Sequence, residues 1–87
     1  RKKGDNHHMD KIRVYGTKWC GDCIRSKAFM DHNEVNYEWT DLDEESQYRK
    51  YIRSLNNGLE RVPTIVFPDG TILIEPTDEE LAYKLNI

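Results

Sequence analysis

Four short stretches of the chain have the pattern of β-strands. Apolar and polar residues alternate over residues 11–15 and again over 35–40, which is the period of a half-buried strand. Two further apolar runs, 64–67 and 71–74, flank Pro68-Asp69-Gly70, a combination typical of a β-hairpin. The pattern therefore predicts four strands, the last two of them antiparallel neighbours.

Three other segments repeat their apolar residues at the spacing of an α-helix. The first runs from Gly21 to about His32, and four of its residues fall within an arc of roughly 160°, which predicts a buried face. These residues are Cys23, Ile24, Ala28 and Met30.

The second helical segment is predicted to begin at Asp43, an N-cap residue, and to end at Asn56-Asn57-Gly58. Its apolar residues recur at helical spacing and are Tyr48, Tyr51, Ile52 and Leu55. Its cations are predicted to line a solvated face and are Arg49, Lys50 and Arg53.

The last helical segment opens with Thr77 and Glu80, which have the spacing of a capping box, and Leu81 and Leu85 form its apolar stripe. The predicted order of elements is βαβαββα. With 87 residues, the chain is expected to form a single α/β domain.

Composition narrows the class of protein. Residues 1–8 contain no apolar side chain, so we expect a disordered tail, with the character of a cloning remnant, ahead of an initiating Met9 and a domain over 9–87. Without that tail, Lys+Arg falls from 13 to 10 and Asp+Glu from 16 to 15, which leaves a net charge of −5. An acidic domain argues against binding to nucleic acid or to an anionic membrane surface. With no spanning segment and no secretory signal in the sequence, we expect a cytoplasmic protein.

Cys20 and Cys23 carry the strongest chemical signal, because they lie at a strand-to-helix junction in Trp19-Cys20-Gly21-Asp22-Cys23. The N–H groups and dipole of a helix N-terminus stabilise a thiolate, the attacking species, so Cys20 is the predicted nucleophile. Cys23 lies one turn on, on the apolar face, where burial raises the pKa of its thiol, and it is the predicted resolving cysteine.

The alternative, a structural disulfide, is a poor explanation because so short a loop restricts the unfolded chain little. Lys18 and Arg25 are predicted to support the Cys20 thiolate, and Asp22 to oppose it. His7 and His8 do not complete a zinc site with the cysteines, so no metal is predicted.

The element order and the redox motif resemble the thioredoxin fold in its glutaredoxin-like form, a four-stranded mixed sheet flanked by helices. The resemblance covers nearly all of residues 11–87. Within that family the chain is most similar to the bacterial mycoredoxins, which also carry a Trp-Cys-Gly-x-Cys motif and a Pro before the last helix. The resemblance implies a dithiol–disulfide oxidoreductase that reduces protein disulfides or protein–small-thiol mixed disulfides.

The same resemblance implies a set of substrate-binding residues. Val62-Pro63-Thr64 matches the segment that holds a cis-proline opposite the cysteines, although X-Pro bonds alone favour trans, with only about 5–6% cis. Thr77 and Asp78 match the place where glutaredoxins bind the carboxylate of a small thiol, besides their plain role as N-cap and first-turn charge. Lys18 and Trp19 complete the set, although Lys18 lies one residue nearer the first cysteine than the usual glutaredoxin lysine, whose place Thr17 takes here. Trp19 is either a contact for protein disulfides or a cover for its loop.

One departure concerns the electron donor. The chain has Glu75-Pro76 where glutaredoxins usually have Gly-Gly, which adds bulk and negative charge near a site for an anion. No bound cofactor is expected. The electron donor is predicted to be a low-molecular-weight thiol, mycothiol-like or glutathione, or a flavoprotein of the thioredoxin-reductase type.

A second function stays open from the sequence. Some glutaredoxin-like proteins hold an iron–sulfur cluster between two subunits, each of which gives one cysteine, here Cys20. Gly21 replaces the Pro that often lies between the cysteines and so loosens that loop. A brown dimer would favour this carrier function, whereas a colourless monomer, the expected state, would favour the enzyme.

Overall fold

The computed structural model describes residues 11–87, so the predicted tail over 1–8 lies outside the described residues. The order of elements is the predicted βαβαββα, with one 3-10 turn added before the second helix. The elements are β1 (Ile12–Gly16), α1 (Gly21–His32), β2 (Tyr37–Asp41), a 3-10 turn (Ser46–Tyr48), α2 (Arg49–Leu55), β3 (Thr64–Val66), β4 (Ile72–Ile74) and α3 (Asp78–Leu85).

The four strands form one mixed sheet in the order β2-β1-β3-β4. Strands β1 and β2 are parallel and are joined through α1, whereas β3 runs antiparallel to both β1 and β4. Tyr15 pairs with Thr64, and Gly16 pairs with Asp41. One edge of the sheet therefore gathers the loop after β1, the loop after β2 and the segment that enters β3.

The core has a cluster on each face of the sheet, which follows from the alternation of side chains along a strand. On one face, buried residues of β1 and β3 pack with Met30 of α1 and Leu81 of α3. On the other face, Tyr15 and Val66 pack with Leu42 and Ile52, the latter from α2. This confirms the predicted α/β class and the mixed sheet flanked by helices.

The predicted buried face of α1 is only partly right. Cys23 and Met30 are buried, but Ile24 is 57% exposed and Ala28 is exposed as well. The buried stripe instead runs from Cys23 through Ser26 to Met30. Ile24 is a quarter turn away from Cys23, which takes it off that narrow stripe.

The prediction that Asp43 caps the second helix is wrong. Glu45 precedes the 3-10 turn, and α2 begins after Tyr48 without a side-chain cap. The carboxylate of Asp41 accepts a hydrogen bond from the Asp43 N–H at 2.9 Å, so this turn is organised by the preceding aspartate. The Asp43 carboxylate is left for other partners.

The ends of the other elements agree with the sequence. Asn56 ends α2, and Gly58 follows it with a φ of 88°. At the start of α3 the Thr77 hydroxyl accepts from the Glu80 N–H at 3.1 Å, while the Glu80 carboxylate accepts from the Thr77 N–H at 2.8 Å, which is the predicted capping box. None of the helices in residues 11–87 is long and apolar enough to cross a membrane.

Candidate active site

Cys20 is the N-cap residue of α1. Its backbone is extended, with φ −83° and ψ 119°, and its sulfur accepts a hydrogen bond from the Cys23 N–H at 3.3 Å. The same thiol is half-buried and donates to the Val62 carbonyl at 3.6 Å. The sulfur therefore lies at the positive end of the helix dipole, where a thiolate gains stabilisation.

Cys23 has a very different environment. It is fully buried, and burial is the main cause that raises the pKa of its thiol to about 12. The hydrogen bond with Cys20 and the charges of Cys20 and Asp22 raise it further, whereas a hydrogen bond with the Thr17 main chain lowers it. Both cysteines are free thiols, so the structure is that of the reduced pair.

Gly16 and Trp39 form the wall behind Cys23. A Cβ atom placed on Gly16 would lie 2.4 Å from the Cys23 sulfur and 3.0 Å from the Trp39 ring. The Lys27 ammonium lies over the same ring, 3.8 Å from its centroid. Sequence reasoning missed Gly16 and the Thr17 main chain, although a glycine ending the strand before the motif was a signal for close packing.

The Val62–Pro63 peptide bond is cis, as the family resemblance implies and against the general preference of X-Pro bonds. Pro63 is fully buried, while Val62 is half-buried and turns its carbonyl to the Cys20 thiol. These residues and the two cysteines are therefore brought together at the edge of the sheet.

The side chains of Lys18 and Trp19 contact acidic residues at the end of β2 and in the loop that follows it. The Lys18 ammonium lies 2.7 Å from the Glu44 carboxylate and 3.8 Å from that of Asp41, and the Glu44 hydrogen bond raises the pKa of Lys18. The predicted support of the Cys20 thiolate by Lys18 is not what these contacts show, because its ammonium is held by two carboxylates. Trp19 is 73% exposed, and its indole N–H donates to Asp43 at 2.9 Å.

Thr77 and Asp78 are linked to the redox helix by Arg25. The guanidinium lies 2.7 Å from the Asp78 carboxylate, 2.9 Å from the Pro76 carbonyl and 3.4 Å from the Asp22 carboxylate. The Arg25 cation, predicted to help Cys20, therefore bridges two aspartates. A shallow pocket of about 290 Å³ opens beside it, lined by Arg25, Thr77, Asp78 and Glu79.

Glu75 has a φ of 50°, a backbone conformation that favours glycine. Its carboxylate lies 3.4 Å from the Arg61 guanidinium, an exposed ion pair that offsets part of its charge. Within residues 11–87, no cluster of three His, Cys, Asp or Glu side chains is placed to hold a metal ion.

The family model and the similar proteins of known name indicate the same family. The family model described as glutaredoxin matches residues 12–72. A protein of Mycobacterium tuberculosis that carries the name glutaredoxin is 34% identical over 74 residues, which is 85% of this chain and 88% of that protein.

Mycoredoxin 1 of Corynebacterium glutamicum is 30% identical over 78 residues, covering 90% of this chain and 96% of that protein. Among solved structures, a mutant of the thioredoxin-like protein BC3987 superposes with a TM-score of 0.77 at 32% identity. That match covers 88% of this chain and 96% of the other. The fold described above is thus shared with proteins of similar length.

Proposed function

Because the chain belongs to the glutaredoxin family, a family of thiol–disulfide oxidoreductases, we propose that Cys20 attacks disulfides and that Cys23 resolves the product. The substrates are protein disulfides or mixed disulfides between a protein and a small thiol. One observation supports this most: the two thiols have unequal environments. Cys20 is reachable at a helix N-terminus, and Cys23 is buried with a pKa of about 12.

In the first step the Cys20 thiolate attacks one sulfur of the substrate disulfide. A Cys20–substrate disulfide forms, the substrate S–S bond breaks, and the leaving thiolate takes up a proton from solvent. The Val62 carbonyl faces the reacting sulfur, so an extended substrate chain can pair with the main chain at this place as a short added strand.

In the second step Cys23 attacks the Cys20 sulfur and expels the reduced substrate as a thiolate. Cys23 is protonated at neutral pH, so its proton must leave, either to the departing thiolate or to water. Cys20 itself raises the pKa of Cys23 through a hydrogen bond and through its charge. Both effects are lost once Cys20 is bound in a neutral disulfide, while the Thr17 hydrogen bond remains. The pKa of Cys23 therefore falls at the stage at which Cys23 must react.

The oxidised pair must then accept two electrons from a donor. Three features around the start of α3 disfavour glutathione, a tripeptide with two carboxylates. Glu75 adds a negative charge, Pro76 lacks an N–H, and the Asp78 carboxylate is bound by Arg25. A mycothiol-like thiol or a thioredoxin-reductase-type flavoprotein is the proposed donor, and mycoredoxin 1, one of the relatives, supports the first of these. The protein is proposed to act as a monomer in the reducing cytoplasm.

A trapping experiment tests the exchange. Cys23→Ser, incubated with a disulfide-bonded protein such as insulin, should accumulate a mixed disulfide on Cys20 that mass spectrometry locates by peptide mapping. Cys20→Ser should form none. Adducts on Cys23 in the unmodified chain, with none on Cys20, would contradict the assignment. A freshly purified sample that is brown and has the mass of a dimer would favour the iron–sulfur carrier instead.

A further inference from the structure

A chain of hydrogen-bonded side chains starts at Trp19 and crosses the surface beside the cysteines. The Trp19 indole N–H donates to one Asp43 oxygen at 2.9 Å, and the other Asp43 oxygen accepts from Arg49 at 2.6 Å. A second nitrogen of Arg49 donates to Glu60 at 2.6 Å, and Glu60 also accepts from Arg53. Arg49, predicted to lie on a solvated face, is thus the centre of this chain of hydrogen bonds, which is called the relay below.

Both ends of this relay flank Cys20. Trp19 precedes the nucleophile directly, and Glu60 lies two residues before Val62, whose carbonyl accepts from the Cys20 thiol. The pairing of Tyr15 with Thr64 places these two segments side by side at the same edge of the sheet. Trp19 and the 60–62 segment therefore both adjoin Cys20, and the surface that they form around its sulfur is called the groove below.

We propose that Arg49 is a positioning residue that holds Trp19 and the 60–62 segment in place, so that the groove favours an extended protein chain over a small disulfide. The inference rests on the proposed function and names its preferred substrate class. A chain that passes over Cys20 touches both Trp19 and the 60–62 segment, whereas a small disulfide needs little beyond the sulfur.

The state of the indole ring supports this assignment. The ring is 73% exposed although its N–H is already bonded, so its faces are left for apolar contact with a partner. An exposed side chain that is fixed before binding loses less rotamer entropy when a partner arrives. Tryptophans held in this way are frequent energetic anchors of protein interfaces.

The chemistry of Arg49 fits a positioning role better than a stabilising one. Exposed ion pairs add little to folding stability. A planar guanidinium, however, can bond two carboxylates in fixed directions, which a lysine does less well. The side chains of Arg49 and Glu60 are only 31% and 30% exposed, and the hydrogen bond from Arg49 lowers the pKa of Glu60. The relay is thus partly shielded from water.

The test compares two oxidants of the reduced protein, insulin and hydroxyethyl disulfide, in single-turnover reactions that need no electron donor. For Arg49→Gln, the ratio of the second-order rate constants, insulin over hydroxyethyl disulfide, should fall by about fivefold or more, the effect of losing an interface anchor. Asp43→Asn, which breaks the same relay at its next member, should act in the same direction and serves if Arg49→Gln does not fold.

Lys84→Gln is the matched control. It removes the ion pair, 2.5 Å long, between Lys84 of α3 and Asp69 of the β3–β4 turn. The turn follows Val66, which pairs with Arg13 at the start of β1, so it lies at the opposite edge of the sheet from Cys20. Its ratio should equal that of the unmodified protein.

A second readout reports Trp19 directly. In a Trp39→Phe background, Trp19 is the one remaining tryptophan, since the chain has two. The fluorescence anisotropy of Trp19 should be lower in the Arg49→Gln variant than in this background, and it should be unchanged in the Lys84→Gln variant. A ratio that stays within about twofold, or an anisotropy that does not change, would overturn the inference. If neither disulfide oxidises the unmodified protein, the proposed function fails, and the inference that rests on it fails with it.

Discussion

The sulfur of Cys23 occupies the space in which a side chain at Gly16 would begin, since a Cβ atom there would lie only 2.4 Å away. Carbon and sulfur atoms that are not bonded do not approach so closely. The strand that leads to the cysteine pair therefore ends in glycine because the resolving thiol packs directly on its backbone. The same contact keeps Cys23 away from water, which is the main cause of its raised pKa.

Gly16→Ala is expected to displace the Cys23 sulfur and to slow the second step of exchange more than the first. Overpacking of a buried site costs about 1–3 kcal/mol of folding stability, so a lower melting temperature should accompany it. The measurement is the lifetime of the mixed disulfide with insulin, followed by mass spectrometry after acid quenching. Gly21→Ala is the control, because a Cβ atom at Gly21 meets nothing within 4 Å. Equal lifetimes in the two variants would show that the sulfur moves aside without consequence.

The two thiols of the reduced protein should be alkylated at very different rates. Because the pKa of Cys23 is about 12, almost none of it is thiolate at neutral pH, and its rate should still be rising with pH at about pH 10. Cys20 is half-buried and lies at the helix end, so iodoacetamide should modify it first. Differential alkylation from about pH 6 to about pH 10, read by peptide mass, measures both rates. Equal reactivity of Cys20 and Cys23 would contradict the assignment of nucleophile and resolving thiol.

Much of the fold could be predicted from the sequence because local signals and tertiary packing agree. The capping box of Thr77 and Glu80, the turn at 68–70 and the strand alternation around Val14 each specify one local geometry. The cis state of Val62–Pro63 was implied by the family resemblance alone, since most X-Pro bonds are trans.

The predictions that the structure does not bear out concern side chains whose partners are distant in the sequence. Aspartate is a residue type that often caps helices. The Asp43 carboxylate, however, accepts hydrogen bonds from Trp19 and Arg49, which approach it only in the folded chain. Lys18 is next to the redox motif in sequence, but the loop after β2 brings Glu44 within 2.7 Å of its ammonium. Periodicity also cannot tell how narrow the buried stripe of α1 is, which is why Ile24 was misplaced.

Asp22→Asn is expected to make the cysteine pair more oxidising. The Asp22 charge disfavours thiolates and raises the pKa of Cys23, so its removal stabilises the reduced form. Arg25, 3.4 Å away, and water screen that charge, so we expect a rise on the order of 10–30 mV in reduction potential. Equilibration with thiol–disulfide redox buffers measures it, and Asp69→Asn, at the far edge of the sheet, is the control. A lower potential would contradict this expectation, because the loss of the carboxylate and the release of the Arg25 cation both favour the thiolate and so the reduced form.

Glutathione is expected to be a poor electron donor for this protein. Its two carboxylates meet the Glu75 charge, and Pro76 offers no N–H while its carbonyl is already bonded to Arg25. The Thr77 N–H is likewise taken by Glu80. Steady-state reduction by glutathione with its reductase, by mycothiol with its reductase and by thioredoxin reductase compares the three donors, with dithiothreitol as a donor that needs no binding site. We expect glutathione to be slower than the better of the other two by about tenfold, which equals a difference of about 1.4 kcal/mol.

The double variant Glu75→Gly with Pro76→Gly tests the cause of that difference. It removes the charge and restores an N–H, and glycine also suits the φ of 50° at position 75. Turnover with glutathione should therefore rise by about fivefold, while turnover with dithiothreitol should stay the same, because a gain of one charge-assisted contact is worth about 1 kcal/mol. Fast turnover of the unmodified protein with glutathione at cellular concentrations would show that Glu75 and Pro76 do not select the donor. In that case the Arg25 bridge must open readily enough to admit the tripeptide.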